Sequence, residues 1–277
     1  MEETDSARLT QAEASWLEAH TAYEMADFPL AAEAYERAGL LYEGLDAASY
    51  VDSLLGLALC MDHLGRNAES ETLNKRVIAN RTASVAQKAI AQRNLIYAEG
   101  VRNFANTEFA AAHASFAKAL TLHDEDDDFR SDILMWMGAC HSQLGQFAAA
   151  GDTYTDLLSS QGAHESVKSQ ASQRQAFAEG HLLFAARRYR EARSKFEELL
   201  RQRNTASEFR SGVQLMLAHC CFHLSDYGQA NRRYRQILKT RNASQDQKRE
   251  ARQWRRAVPG WLERLVRSFK VTAASRP

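Results

Sequence analysis

A helical stripe of four residues recurs along the chain and constrains its fold more than any other feature. Each copy has an aromatic residue, an alanine three positions later, a second aromatic residue after four more, and a small or aliphatic residue after another three. Steps of three and four place these side chains on one face of an α-helix, where the alanine leaves room for a neighbouring helix. The copies are Phe28-Ala31-Tyr35-Ala38, Phe109-Ala112-Phe116-Ala119, Phe147-Ala150-Tyr154-Leu157, Tyr189-Ala192-Phe196-Leu199 and Tyr227-Ala230-Tyr234-Ile237, with a degenerate copy at Asn67-Ser70-Asn74-Val77. The stripe predicts an all-α, repetitive protein.

A second helical pattern precedes each stripe. The segment from Leu134 to His141 has helical periodicity, and Leu144-Gly145 interrupts it before the stripe that begins at Phe147. Two helices joined by a short turn make a hairpin, and six hairpins follow one another between about residues 12 and 240. This arrangement resembles the tetratricopeptide repeat family, whose signature has a large residue, Leu-Gly and Tyr in the first helix and Ala and Phe in the second. The resemblance implies an α-solenoid of helix-turn-helix hairpins.

A longer period of 80 residues lies above the hairpin repeat. It predicts three double-hairpin units, at about 4–80, 81–160 and 161–240, which together make a repeat array over residues 1–240. Residues 241–277 are predicted to form basic capping helices, because Pro259 ends one helix and an amphipathic segment follows it. The residues that recur at this period include Lys88, Lys168 and Lys248, and Cys60, Cys140 and Cys220.

No sequence motif indicates catalysis. The chain lacks a glycine-rich phosphate loop, a His-Glu-x-x-His zinc motif and a Gly-x-Ser-x-Gly nucleophile motif. His219 and His223 are four residues apart and could hold a transition metal with a third ligand, although plain packing also explains them. We predict a protein that is not an enzyme, with no cofactor and no metal.

The chain reads as cytoplasmic. It begins with Met1-Glu2-Glu3, which is acidic where a secretory signal is basic and then apolar. It has no run of about 18 apolar residues of the kind that spans a membrane. Its 4 cysteines are too few and too regularly spaced for a disulfide framework. The sequence therefore predicts a protein of the reducing cytoplasm with no membrane partner.

The resemblance also implies a partner-binding groove lined by the first helices of the hairpins. Family members that grip a partner's terminal carboxylate use a Lys/Asn/Arg set there, and the matching places of this chain hold aromatic, aliphatic and histidine residues. We therefore expect the groove to prefer an apolar or amphipathic helical segment of a protein or peptide. The predicted groove residues are Tyr23, Leu59, Phe104, Met135, His181, Phe184, His219 and Phe222.

Trp16, Tyr97 and Phe177 have two interpretations. The interval to the aromatic residue that starts the second helix is five residues from Tyr23, but six from His141 in the fourth hairpin. A turn one residue shorter in the first, third and fifth hairpins would place these three side chains in the core. Turns of equal length would place them in the groove.

The net charge of zero hides a strong gradient along the chain. Residues 1–60 carry 12 acids and 2 bases, a net −10, whereas residues 230–277 carry 14 bases and 3 acids, a net +11. Three interpretations of the basic end stay open: a solvated cap, a site for an acidic partner or for head-to-tail self-association, and a nucleic-acid site, since Trp254 lies among the bases. The basic patch consists of Arg232, Arg233, Arg235, Lys248, Arg249, Arg252, Arg255 and Arg256.

The sequence as a whole predicts a binding protein. Periodic packing residues account for most of the chain and leave no catalytic cluster. We predict a non-catalytic scaffold or adaptor that binds a protein segment in the groove. The alternative is a regulatory module that contacts nucleic acid or an acidic partner through the basic end.

Overall fold

The computed structural model describes residues 2–122, 127–160, 162–202 and 207–258. These ranges contain thirteen α-helices and no strand, which confirms the predicted all-α class. The helices are α1 (Glu2–Glu24), α2 (Phe28–Tyr42), α3 (Ala47–His63), α4 (Asn67–Ala79), α5 (Val85–Ala105), α6 (Phe109–Thr121), α7 (Asp127–Gln143), α8 (Phe147–Ser159), α9 (Glu165–Ala185), α10 (Tyr189–Arg201), α11 (Ser207–His223), α12 (Tyr227–Lys239) and α13 (Gln245–Ala257).

The chain divides into two compact units, residues 1–126 and residues 127–277. The first unit contains three hairpins, α1–α2, α3–α4 and α5–α6. The second contains the hairpins α7–α8, α9–α10 and α11–α12, and then α13, which packs on both helices of the last hairpin. The division falls between the two hairpins of the predicted unit 81–160, so the double-hairpin units stay a prediction drawn from sequence periodicity.

An aromatic ring of the second helix lies on a glycine of the first helix in three hairpins. A Cβ atom placed on Gly180 would come within 2.5 Å of the Phe196 ring, closer than any real contact of that kind. Phe196 is fully buried, so the ring has no free space into which to move. The glycine lets the two helices approach, and the ring fills the space between them. The same pairing occurs at Gly100 with Phe116 and at Gly138 with Tyr154.

The six turns inside the hairpins are built alike. In each, the first helix ends four residues before the second helix begins, and the residue two positions before the second helix has a positive φ of 58° to 73°. No hairpin has a shortened turn, so the one-residue deletion assumed by the core interpretation of Trp16, Tyr97 and Phe177 does not occur. The residues with positive φ are Ala26, Gly65, Thr107, Gly145, Arg187 and Ser225.

Thr107→Gly is expected to stabilise the protein by about 0.5–1 kcal/mol. A residue other than glycine in the left-handed region is strained by roughly 1–2 kcal/mol, and the substitution relieves this strain. The greater conformational freedom of glycine in the unfolded chain offsets about half of the relief. The midpoint of urea unfolding measures the change. Gly145→Ala is the reverse exchange in an equivalent turn and is expected to destabilise by about 1 kcal/mol; a lower midpoint for Thr107→Gly would contradict the strain at this position.

Serine side chains cap the starts of α5 and α13. Ser84 and Ser244 each accept a hydrogen bond from the backbone N–H three residues later, and Gln87 and Gln247 bond back to the serine N–H groups. His164 at the equivalent start of α9 makes no side-chain cap. The predicted capping segment after Pro259 lies outside the described residues, which end at Val258 in this part of the chain.

Candidate protein-binding face

The first helices carry one set of face residues in a common register, because their turns are equal in length. Side chains 12, 8 and 5 residues before the second helix lie on the same side of each first helix. We call this side the first-helix face, and all eight predicted groove residues belong to it. Its members are Trp16, His20, Tyr23, Leu55, Leu59, Asp62, Tyr97, Val101, Phe104, Met135, Ala139, Ser142, Phe177, His181, Phe184, Leu215, His219 and Phe222.

Most of the predicted groove residues are partly exposed. Tyr23, Phe104, Phe184 and Phe222 each keep part of the ring accessible, and so do Met135 and His181 with their own side chains. Leu59 is the most exposed of the set, with 37% of its surface accessible. These side chains present apolar surface while being anchored by their neighbours. Their role in binding stays a prediction.

Four of these aromatic residues are held by a ring that begins the following helix. Tyr23 packs edge-on against Phe28, with ring centroids 5.5 Å apart, and Phe184 packs in the same way against Tyr189 at 5.2 Å. Edge-to-face pairs of this kind are favourable because the positive edge of one ring meets the negative face of the other. The contact fixes each ring before any ligand arrives. The other two pairs are Phe104 with Phe109 and Phe222 with Tyr227.

Histidines link neighbouring hairpins across the same face. His63 of α3 stacks on Phe28 of the preceding hairpin at 4.1 Å, and its Nε2 atom is hydrogen-bonded to the Tyr23 hydroxyl at 2.9 Å. His181 stacks on Phe147 of the preceding hairpin at 3.9 Å. The sequence stripe contained these aromatic residues, but their histidine partners on the next hairpin were not predicted, since the two are 34 or 35 residues apart.

The predicted groove residue His219 lies beneath the last described helix. It is 4% exposed, and its ring is 4.9 Å from the ring of Trp254 on α13. Its Nε2 atom is 3.6 Å from a carboxylate oxygen of Glu250. The histidine therefore belongs to the packing between α11 and α13, and the neighbouring Phe222 and Trp254 provide the accessible surface there, with ring centroids 5.0 Å apart.

Trp16, Tyr97 and Phe177 occupy the same register as Met135 and lie at the border between face and core. All three are partly buried. Tyr97 contacts the buried ring of Phe116 at 5.6 Å, and Phe177 contacts the buried ring of Phe196 at 5.8 Å. Trp16 packs against the core residues of the first hairpin. These rings connect the first-helix face to the hairpin cores.

Burial keeps His181 and His219 of the second unit uncharged at neutral pH. Loss of hydration lowers the pKa of His181 to about 4 and that of His219 to about 4, the latter with added repulsion from His223 and His181. Imidazoles with such pKa values are neutral above pH 6. The face of α9 and α11 is therefore aromatic and uncharged at these positions.

The four cysteines are packing residues. Cys60, Cys140, Cys220 and Cys221 are all buried and free. Burial raises the pKa of the Cys60 and Cys140 thiols to about 11, so they stay protonated and unreactive at neutral pH. Within the described ranges, no three His, Cys, Asp or Glu side chains come close enough to form a metal site.

The predicted basic patch forms a surface on α12 and α13. Six of its members are exposed: Arg232, Arg235, Arg249, Arg252, Arg255 and Arg256. Arg255 donates a hydrogen bond from Nε to Asn231 Oδ1 at 3.2 Å, which ties the two helices together. Arg249 forms an ion pair with Asp246. Arg233 and Lys248 are partly buried.

The described helices differ from membrane-spanning helices in length or hydropathy. None of them is both long enough and apolar enough to cross a bilayer.

The family model described as Tetratricopeptide repeat matches residues 17–85 and 177–246, together half of the chain. The chain belongs to the tetratricopeptide repeat family. Proteins of this family generally mediate protein–protein interaction and are typically non-catalytic scaffolds. None of the curated protein sequences matches the chain.

Two solved structures resemble this tetratricopeptide repeat protein at low sequence identity. PilF of Pseudomonas aeruginosa is 15% identical, with a TM-score of 0.51 over 91% of this chain and 99% of that one. The tetratricopeptide domain of P58(IPK) is 14% identical and covers 82% of this chain and 74% of that one, with a TM-score of 0.32 that supports no structural comparison. The likeness to PilF shows a shared fold alone and confirms the predicted α-solenoid class.

Proposed function

We propose that the protein is a non-catalytic scaffold or adaptor of the cytoplasm that holds an apolar or amphipathic helical segment of a partner on its first-helix face. The observation that carries this proposal is the set of aromatic side chains held by neighbouring rings along that face. Tyr23, Phe104, Phe184 and Phe222 each make such a contact and stay partly exposed.

Anchored aromatic side chains favour binding because they lose little conformational entropy when a ligand covers them. A side chain that is immobilised only on binding costs about 0.5–1.5 kcal/mol. Phe222 is already fixed between Tyr227 at 5.4 Å and Trp254 at 5.0 Å, so a ligand that covers it incurs little of this cost. Aromatic residues are also among those that contribute most to binding at protein interfaces.

The chemistry of the face supports an apolar partner over a charged one. Neutral His181 and His219 lie among aromatic rings, and no lysine or arginine occupies the 12, 8 or 5 register positions of the six first helices. The carboxylate of Asp62 is partly buried there, and burial raises its pKa, which disfavours its charged form. A helix with apolar residues at i, i+3, i+4 and i+7 matches such a surface.

The absence of catalysis is part of the proposal. The cysteine thiols have raised pKa values, and the perturbed histidines are explained by burial against rings. A catalytic group needs both a suitable pKa and a place at which substrate is bound. Ring packing accounts for these groups without a reaction.

Leu59→Lys is expected to weaken partner binding at least tenfold while the fold is kept, since Leu59 is exposed on the face and a lysine there opposes an apolar ligand. The matched control is Leu40→Lys, an equally simple exchange on the outer side of α2, where Leu40 is 64% exposed. Peptides selected by the wild-type chain from a displayed random library provide the ligands, and their dissociation constants are measured for all three proteins.

The composition of the selected peptides completes this test. Apolar residues at i, i+3, i+4 and i+7, with binding lost in Leu59→Lys and retained in Leu40→Lys, support the proposal. Selected peptides that are acidic without apolar spacing and bind both variants equally would overturn it in favour of the basic surface.

A further inference from the structure

We propose that the outer side of α1 binds the basic C-terminal end of a second copy of this chain, so that copies associate head to tail. The outer side of α1 consists of Thr10, Glu13, Ala14, Leu17 and Thr21. It is separate from the first-helix face. The inference is independent of the proposed function.

Later first helices use the equivalent side to pack on the helix that precedes them. In α5, Asn94 donates to Asn74 of α4 at 3.3 Å, and Arg102 forms an ion pair with Glu71 of α4 at 2.9 Å. In α9, Gln175 donates to Thr155 of α8 at 2.8 Å. This side of a first helix is thus the stacking surface of the repeat.

Part of the stacking side of α9 is apolar and fully buried. Ala171 and Ala178 are fully buried in one cluster with Tyr154 and Leu157 of α8. These two alanines lie 18 and 11 residues before the start of α10, and the residues at the same distances before the start of α2 are Thr10 and Leu17 of α1. Both of the α1 residues are exposed, and Leu17 shows 62% of its surface. The two α1 residues thus occupy stacking positions but remain exposed in the described part of the chain.

The charge around this side selects a basic partner. Residues 1–60 have a net charge of −10, and Glu13, Glu18 and Glu24 are exposed on α1. Glu13 lies within the outer side itself, where α9 has Arg174. A basic surface is therefore attracted to α1 and an acidic one is repelled.

The same chain supplies that basic surface at its other end. Residues 230–258 carry 10 bases and 2 acids, 10 − 2 = +8, and most of the arginines on α12 and α13 are exposed. Because the two complementary surfaces are different, the contact is heterologous, and each copy can join one neighbour at each end. Association through opposite charges of this size is strong at low salt and screened at high salt.

Sedimentation velocity on the full chain tests the inference at two salt concentrations. At roughly 0.1 M salt, where the Debye length is about 10 Å, we expect association that increases with protein concentration; at about 1 M salt, where it is about 3 Å, we expect monomers. Leu17→Lys, and separately Arg252→Glu with Arg256→Glu, are each expected to reduce the association at least tenfold. All three residues are exposed, so the fold is kept.

Mixing the two variants distinguishes head-to-tail contact from any symmetric one. The Leu17→Lys copy keeps its basic end and the arginine variant keeps its α1 side, so together they form a one-to-one dimer that does not grow. Leu40→Lys, on the outer side of α2, and Leu59→Lys, on the first-helix face, are expected to associate like the wild type.

Three results would overturn the inference. The first is that the wild type stays monomeric at every concentration in low salt, and the second is that it associates but Leu17→Lys associates equally well. The third is that the wild type is monomeric and binds a random-sequence DNA duplex or RNA through Arg252 and Arg256. Failure of the peptide test with Leu59→Lys would not affect these outcomes, because that test concerns the first-helix face and the association concerns the outer side of α1.

Discussion

Gly180→Ala is expected to lower the stability of the protein by about 1–2 kcal/mol, although alanine favours helix more than glycine does. The new methyl group would lie 2.5 Å from the buried ring of Phe196. Overpacking of this kind costs about 1–3 kcal/mol, and the gain in helix propensity returns up to about 1 kcal/mol. Chemical denaturation followed by circular dichroism measures the difference.

The sign of this effect is expected to reverse once the ring is removed. Phe196→Ala alone should cost about 3–5 kcal/mol through the cavity that it leaves. In that background Gly180→Ala meets no ring and should stabilise by about 1 kcal/mol. Gly151→Ala is the matched control, since a Cβ on Gly151 of α8 has nothing within 4 Å, and it should stabilise by up to about 1 kcal/mol. Additive effects of Gly180→Ala and Phe196→Ala would contradict the ring-on-glycine account.

Acidification from pH 7 to pH 4 is expected to destabilise the second unit by several kcal/mol. The pKa values of His181 and His219 are lowered from about 6.5 to about 4 in the folded protein. A lowered histidine pKa means that the unfolded chain takes up protons first, so stability is complete above pH 6.5 and is lost as the pH falls towards 4. Each histidine accounts for about 3 kcal/mol of this loss.

One nearby carboxyl acts in the opposite direction. Burial raises the pKa of Glu250, 3.6 Å from His219, so the folded protein binds that proton more readily and the loss is reduced. His181→Phe should flatten the pH dependence, because a phenyl ring keeps the stacking on Phe147 and binds no proton. Equal unfolding midpoints of the wild type at pH 7 and pH 4 would contradict the burial of these two imidazoles.

The repeat could be predicted from the sequence because its spacing is local. Tyr189, Ala192, Phe196 and Leu199 lie within three helical turns, and the last three are buried as their spacing requires. The degenerate copy that begins at Asn67 also forms a helix, and its members Ser70, Asn74 and Val77 are buried, since small polar residues fit where the neighbouring helices are close.

Side-chain partners from different hairpins could not be predicted in the same way. In the first hairpin, Ala19 stands where the third, fourth and fifth hairpins have glycine. The Tyr35 ring lies instead on Gly56 of the next hairpin, 2.6 Å from a Cβ placed there. The burial of His219 likewise depends on Trp254, 35 residues away. Spacing along one helix contains no information about such contacts. The spacing identified the residues of the candidate face, but not which of them are covered by a later helix, as His219 is by α13.

Site-specific photo-crosslinking in the source cells tests whether a partner binds on the first-helix face. The variant Leu59→p-benzoylphenylalanine has its reactive group on the face, and Leu40→p-benzoylphenylalanine has it on the outer side of α2; both leucines are exposed. We expect a protein to be crosslinked from position 59 through an apolar or amphipathic helical segment, and none from position 40. A partner crosslinked from position 40 but not from position 59 would contradict it.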